Sequence, residues 1–297
     1  MGNVQTLYRI NDGSAKPPRL DIQQSWWAMN GLGDGVREWS MEEKFEKIAE
    51  AGFTGILGSL PSPEQADRWQ RLLEQYRFSF GIHSFPASRE DLSSLLKQAK
   101  PFGVQYVNSQ VMDSFTIGNE AVSLLNDLVH EAALQRMPYF VETHRGRITQ
   151  DLHRTVDYVS AIAGLRLTID FSHYVVAGEM VNGSDQAEPF LDKLLERTSA
   201  LHARISNGEQ IQVDIGKDAT HPMVHHFMRW WERGIRYWLR DAGAGDVLPF
   251  VSELGPPSYS ITMDNYGQNV REISNRWEQS LVLKELMEEA WRRALLN

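Results

Sequence analysis

The sequence predicts an α/β protein folded as a single (β/α)8 TIM barrel, and three observations carry that expectation. Short β-rich runs alternate with longer segments of helical period from the neighbourhood of Pro18 onward. Eight such pairs follow one another at about 30 residues each, and a barrel of this kind uses about 250 residues as one domain. No linker, internal repeat or shift in composition interrupts them, as a boundary between domains would.

A polar leader occupies residues 1–19 and the barrel residues 20–297. The expected strands are 22–27, 54–57, 78–82, 106–110, 139–143, 165–171, 200–205 and 249–254. Helices are expected over 40–51, 63–77, 89–100, 119–136, 150–163, 188–198, 222–241 and 266–296. The first of them (SMEEKFEKIAEA) opens on a capping box, Ser40 with Glu43, ahead of an apolar stripe at Phe45, Ile48 and Ala49. The last is long and charged, with Trp277 and Trp291 among its apolar residues. Its three expected roles are packing on its own barrel, covering the barrel bottom, or forming a contact between copies in a homo-oligomer.

Composition excludes several classes. With 30 Lys plus Arg against 39 Asp plus Glu, the formal charge is −9, a poor match for phosphate backbones, so no nucleic-acid partner is expected. The chain has no cysteine, which removes disulfides, thiolate ligands and a cysteine nucleophile. Any metal must be held by His and carboxylate. No apolar run approaches the roughly 20 residues of a spanning helix, and the N-terminus has no signal-peptide pattern, so a cytoplasmic protein without membrane partners is expected. The GLGDG stretch at 31–35 lacks the G-x-G-x-x-G spacing and helix start that cradle a dinucleotide, so no nucleotide cofactor is expected.

Active sites of such barrels lie at the C-terminal ends of the strands, and the last four strands all end in titratable groups. The fifth (PYFVETHR) carries Glu142 and His144, the sixth (LRLTIDFSH) Asp170 and His173, the seventh (ALHARIS) His202 and Arg204, and the eighth (PFVSELGPP) Glu253. A single carboxylate at a strand end is an ordinary cap or ion-pair partner. Three carboxylates and a histidine buried around one mouth repel one another and lose solvation, unless a cation sits between them. One divalent ion resolves that conflict, and oxygen and imidazole donors suit Mn²⁺, Mg²⁺, Co²⁺ or Zn²⁺.

That order, Glu then Asp-x-x-His then His then Glu on successive strands, resembles the sugar phosphate isomerase/epimerase superfamily with the xylose isomerase-like barrel, ketose 3-epimerases included. The likeness spans residues 20–297 and rests on VETHRGR, DFSHY, HARIS and SELG. It implies that Glu142, Asp170, His202 and Glu253 are the metal ligands and that His173 contacts a substrate oxygen. One departure stands out. Ketose 3-epimerases place a substrate-binding Arg six residues after the strand-seven histidine, where this chain has Gly208; the nearest arginine, Arg204, is the candidate for that substrate contact.

The chemistry expected of this site is proton abstraction next to a carbonyl, through a metal-stabilised enediolate, on a small-molecule carbohydrate. Glu142 and Glu253, on well-separated strands, are the candidate acid/base pair for opposite faces of one carbon, which gives epimerisation. One active carboxylate gives aldose–ketose isomerisation instead, and loss of a β-leaving group gives a lyase or dehydratase. A barrel that only binds carbohydrate is the alternative outside enzymology. A multi-zinc nuclease is disfavoured by the charge and by the short supply of His and Asp ligands. His83 and His144 are each a second base or hydroxyl contact, or else structural hydrogen-bonding groups. Asn108 and Gln110 suit sugar hydroxyls or loop backbone. Arg145 and Arg147 suit an anionic group, or else pair with a loop carboxylate such as Asp151. Of Trp26 and Trp27, only one can face inward, and Trp27 is the candidate platform for a sugar ring. His221, His225 and His226, and Trp230 with Trp231, are expected to belong to a helix surface and its packing rather than to a site.

Overall fold

A computed structural model of the chain describes residues 7–263 and 271–296. Parallel strands β1 (Arg19–Ser25), β2 (Gly55–Gly58), β3 (Ser79–Ser84), β4 (Tyr106–Ser109), β5 (Tyr139–Glu142), β6 (Leu167–Ile169), β7 (Thr198–Ala203) and β8 (Asp246–Ser252) pair in sequence order. β8 returns to β1, with Ile22 opposite Phe250, and this pairing closes the barrel. Outside it lie α1 (Met41–Glu50), α2 (Pro63–Tyr76), α3 (Arg89–Ala99), α4 (Gly118–Leu134), α5 (Leu152–Ala161), α6 (Ser172–Ala177), α7 (Glu188–Leu195), α8 (Val224–Leu239) and α9 (Arg276–Leu296). The eight-unit barrel predicted from periodicity is the fold observed.

Alternation along each strand builds two apolar layers. Outward residues such as Ile56, Phe80, Val107, Val141, Leu201 and Phe250 pack under the helices, whereas Leu57, Tyr106, Phe140, Ala200, Val247 and Val251 fill the barrel interior. Each fully buried side chain of this size stabilises by about 1.5–3 kcal/mol relative to exposure. The predicted capping box forms: Ser40 accepts from the Glu43 amide and the Glu43 carboxylate accepts from the Ser40 amide. Trp26 faces outward onto Phe45 and Trp69, and Trp230 and Trp231 pack on Phe171 and Phe250, so these rings are core.

Several boundaries differ from the sequence expectation, mostly by two or three residues. Strands begin earlier at β1, β7 and β8 because parallel pairing with both neighbours, which a single sequence does not display, sets their limits. The last helix starts at Arg276. Residues 266–270 of the expected helix lie outside the described residues, and 271–275 are not helical, because Asn275 accepts from the Trp277 and Glu278 amides and caps the helix there. α9 packs on its own barrel, through Trp291 on Trp238 and Trp277 on Phe53, while Leu283, Met287 and Ala290 are buried. α6 was not expected; it is a single short turn of helix that carries His173 directly below the strand end.

The N-terminal segment adds a cap at the opposite end of the barrel. Ile10–Asn11 forms a two-residue antiparallel strand on β8, and Ile10 is buried in the interior cluster. Near it the barrel holds a satisfied polar network: the Asp21 carboxylate accepts from Thr54 and Ser79 hydroxyls and from the Gln23 amide, at 2.7, 2.6 and 2.8 Å. Among the described residues no helix is long and apolar enough to cross a membrane.

Candidate metal centre

The same alternation that fills the interior aims the strand-end polar groups inward. His83 stands two residues after Gly81, Asn108 two after Tyr106, Glu142 two after Phe140, His202 two after Ala200 and Glu253 two after Val251, so all face the barrel axis in one layer. Asp170 follows Ile169 at the end of β6, and its amide donates to the Thr143 hydroxyl at 2.8 Å, which fixes the turn. Glu142, Asp170, His202 and Glu253 each offer a donor atom within 4.8 Å of the others, and all four are buried.

Each group is held in a different way. Glu142 Oε2 accepts from the Asn108 and Gln110 side-chain amides at 2.7 and 3.0 Å, while Oε1 has no hydrogen-bond partner. Asp170 Oδ1 accepts from Ser172 and Oδ2 from Arg204, at 3.1 and 2.9 Å. Arg204 Nη2 also donates to Glu253 Oε2 at 2.6 Å, so one guanidinium bridges two of the four candidate ligands. His202 Nδ1 lies 2.7 Å from Glu253 Oε2 and 3.7 Å from Glu142 Oε1. Neither ring nitrogen of His202 has the alignment of a hydrogen bond, so these contacts are ionic rather than directional.

Burial and charge set the protonation states. Burial disfavours the charged His202 ring, but Glu253 and Glu142 outweigh it and push its pKa up to about 10. Burial likewise works to raise Glu142, and the charge of His202 overcomes it, holding the carboxyl well below the usual range. For Asp170 burial wins over Arg204 and the pKa is raised. His83, His144 and His173 are all pushed down, burial being the largest cause for each, so these rings are neutral at pH 7.

A divalent cation fits this set. Glu142 Oε1 and both nitrogens of His202 are buried and none makes a directional hydrogen bond, His202 Nδ1 having only its ionic contacts with the carboxylates, so these atoms are left for an ion to satisfy. Three carboxylates and an imidazole, with no thiolate, match a hard or borderline ion.

Above the cluster opens a cavity of about 260 Å³. Of the residues expected from sequence, Trp27, His83, Gln110, His144, Arg204 and Glu253 line it, joined by Ser59, Phe85, Arg147 and Tyr259. Glu142, Asp170, His202 and Asn108 sit beneath. His173 is fully buried under His144, with ring centroids 3.8 Å apart; neither of its nitrogens makes a hydrogen bond, and Nε2 lies 3.7 Å from Asp170 Oδ2. His144 turns Nδ1 to the Arg145 carbonyl, leaving Nε2 toward the cluster and Tyr259. A larger cavity of about 400 Å³ lies between α5, α6 and α7, away from the strand ends, and holds none of this chemistry.

Two features escaped the sequence. Tyr259 comes from the loop after β8, where no periodicity marks a direction; it stacks edge-on against Trp27 and lies under the Arg204 guanidinium at 5.1 Å. The position of Arg204 inside the ligand cluster was legible in principle, because residue 204 shares the inward face of His202. The expected pairing of Arg145 or Arg147 with Asp151 is not found: Asp151 caps α5 and binds Arg154 at 2.7 Å. His221, His225 and His226 belong to no candidate metal cluster among the described residues.

No protein-family model matches the chain, and no curated protein matches it by sequence. Solved structures do match in fold. An L-ribulose 3-epimerase aligns over 94% of this chain and 98% of its own, with a TM-score of 0.58 and 11% identity. A D-allulose 3-epimerase from Methylomonas sp., in complex with D-allulose, aligns over 93% and 99%, with a TM-score of 0.55 and 14% identity. A probable 3-DHS dehydratase from Bacillus anthracis, involved in petrobactin synthesis, aligns over 93% and 99%, with a TM-score of 0.54 and 16% identity. The chain thus shares the fold of these proteins, a single (β/α)8 TIM barrel.

Proposed function

We propose that the chain is a divalent-metal-dependent sugar isomerase or epimerase acting on a small-molecule carbohydrate. The observation that carries this reading is the convergence of Glu142, Asp170, His202 and Glu253, from four successive strands, with donor atoms within 4.8 Å of one another and buried donors left unpartnered. A divalent ion bound there would supply Lewis-acid stabilisation of the negative charge that develops on a carbonyl oxygen when the adjacent C–H is deprotonated.

The protein's own groups divide the remaining work. Glu253 opens onto the cavity, so its carboxylate is placed to take the proton from a bound carbon. Glu142 keeps one oxygen fixed by Asn108 and Gln110 and the other bare, which preserves its direction; ionised in the metal-free protein, it takes a proton from water and returns it to the far face of the carbon, inverting that centre, while Glu253 gives up the abstracted proton to solvent. His83 and His144, neutral and facing the cavity, hydrogen-bond substrate hydroxyls, and the Trp27 ring offers an apolar face to the sugar.

The test begins with metal content after chelation and reloading with Mn²⁺, Mg²⁺, Co²⁺ or Zn²⁺. About one ion per chain is expected, weakened in Glu253→Gln, followed by exchange of a ketose C–H with D₂O that Glu142→Gln and Glu253→Gln each abolish while the fold survives. No bound ion under any loading, or full exchange in both variants, overturns the reading.

A further inference from the structure

We infer that the substrate of this site carries an anionic group, a carboxylate or phosphate, and that Arg147 docks it at the mouth with Arg145 as an outer cation. The inference rests on the metal-enzyme reading above and deepens it by naming the substrate class.

The first observation is two cations without counter-charges. Arg147 lines the cavity above the candidate metal cluster; among the described residues its only hydrogen bond is from Nη1 to the Met112 carbonyl at 3.2 Å, and its guanidinium rests over the Phe85 ring at 5.3 Å. Arg145 rests over Tyr259 at 5.6 Å, on the face of an adjoining recess that it lines with Glu209. Among the described residues neither arginine makes an ion pair, Glu209 included. What sets Arg147 apart is its place, on the wall of the cavity above a cluster of three buried carboxylates. The candidate carboxylate partners near the mouth are already engaged, Asp151 by Arg154 and Glu253 by His202 and Arg204.

Charge balance gives the second observation. The three buried carboxylates of the cluster are neutralised by Arg204 together with one divalent ion, so the floor of the site needs no further charge. Arg147 is then surplus positive charge facing a cavity of about 260 Å³, large enough for a small polyhydroxylated molecule, and Arg145 adds a second charge in the adjoining recess. Arg204 adds a third feature: its Nη1 is buried with no partner, beside the same cavity, and offers a donor to an incoming oxygen. A guanidinium presents parallel N–H donors that match the two oxygens of a carboxylate or phosphate, and its stacking on an aromatic ring holds the fork in place before the ligand arrives.

The experiment compares binding of three matched probes to the Mn²⁺-loaded full chain by calorimetry: a neutral hexulose, its terminal phosphate ester and the corresponding keto-acid. An anionic probe is expected to bind about tenfold to a hundredfold more tightly than the neutral one, with an affinity that falls as salt is added. Arg147→Gln is expected to erase that difference, leaving metal content and melting temperature unchanged, and Arg147→Lys to restore part of it. Preference for the ester assigns a phosphate, and preference for the keto-acid a carboxylate. Equal binding of all three, unchanged in Arg147→Gln with one metal per chain, overturns the inference and leaves the metal reading intact. An acid preference without any bound metal sinks the metal reading instead and leaves the acid-docking site standing.

Discussion

His202 shows how one residue couples the site to pH. Between Glu253 and Glu142 its pKa is raised from the ordinary 6.5 to about 10, so in the metal-free protein the ring is charged near neutrality. A ligand must be unprotonated, so metal entry has to displace this proton. We predict the release of about one proton per metal bound near pH 7, and an affinity that drops about tenfold for each pH unit below 10, measured by calorimetry in buffers of different ionisation enthalpy. Binding without proton release would remove His202 from the ligand set. The sign for stability is opposite: the charged ring stabilises the metal-free fold fully below about pH 6.5, and this contribution is lost as pH rises toward 10. Arg204 is the other counter-charge, shared by Asp170 and Glu253. Arg204→Gln is predicted to cost the metal-free protein about 3–5 kcal/mol in urea denaturation, because two buried carboxylates lose their partner, and loading with Mn²⁺ is predicted to recover most of it. The four candidate ligands were legible in sequence because each ends an apolar strand. The bridging by Arg204 was not, since a side chain's choice among several carboxylates depends on distances across the barrel.

Whole strands place these residues through what they allow between them. Gly81 in β3 has no side chain where the Tyr106 ring of β4 crosses the interior; a Cβ there would stand 2.2 Å from the ring. The space lets the Tyr106 hydroxyl reach Gln23 Oε1 at 2.8 Å on β1, and the Gln23 amide donates to Ser79 of β3 at 3.0 Å, tying three strands together beneath the layer of His83 and Asn108. Gly81→Ala is therefore predicted to destabilise the fold by about 1–3 kcal/mol, seen as a lower urea midpoint at unchanged slope, and to weaken metal binding by shifting β4. A fully silent substitution would mean that the ring moves aside freely. Glycine in a strand signals a close approach without saying to what, which is why the sequence marked the strand and not the tyrosine. The helices were easier to place. A capping box and a 3.6-residue stripe are local, whereas the start of α9 depends on Asn275, after a stretch with no apolar period.

At the scale of the molecule the barrel separates stability from chemistry. The bottom is closed by Ile10 and by the Asp21 network, while all candidate ligands stand at the opposite end of the strands. Ile10→Ala is predicted to cost about 2–5 kcal/mol and to leave metal stoichiometry and affinity unchanged, which denaturation and elemental analysis would check together. A loss of metal along with stability would show that the two ends are coupled. The segment before Leu20 has too little apolar content to announce such a role; only its pairing with β8 shows that Ile10 closes the interior. By itself, then, the sequence determined the barrel, its order of strands and helices and the four strand-end candidate ligands, because period, capping and alternation are properties of neighbouring residues. The tertiary structure decided which groups line the cavity and which lie beneath it, that Arg204 bridges Asp170 and Glu253, that Tyr259 joins the mouth, and that among the described residues Arg145 and Arg147 have no carboxylate partner. Those are relations between residues far apart in the chain, fixed only when closure of the sheet brings the strand ends and their loops around one axis.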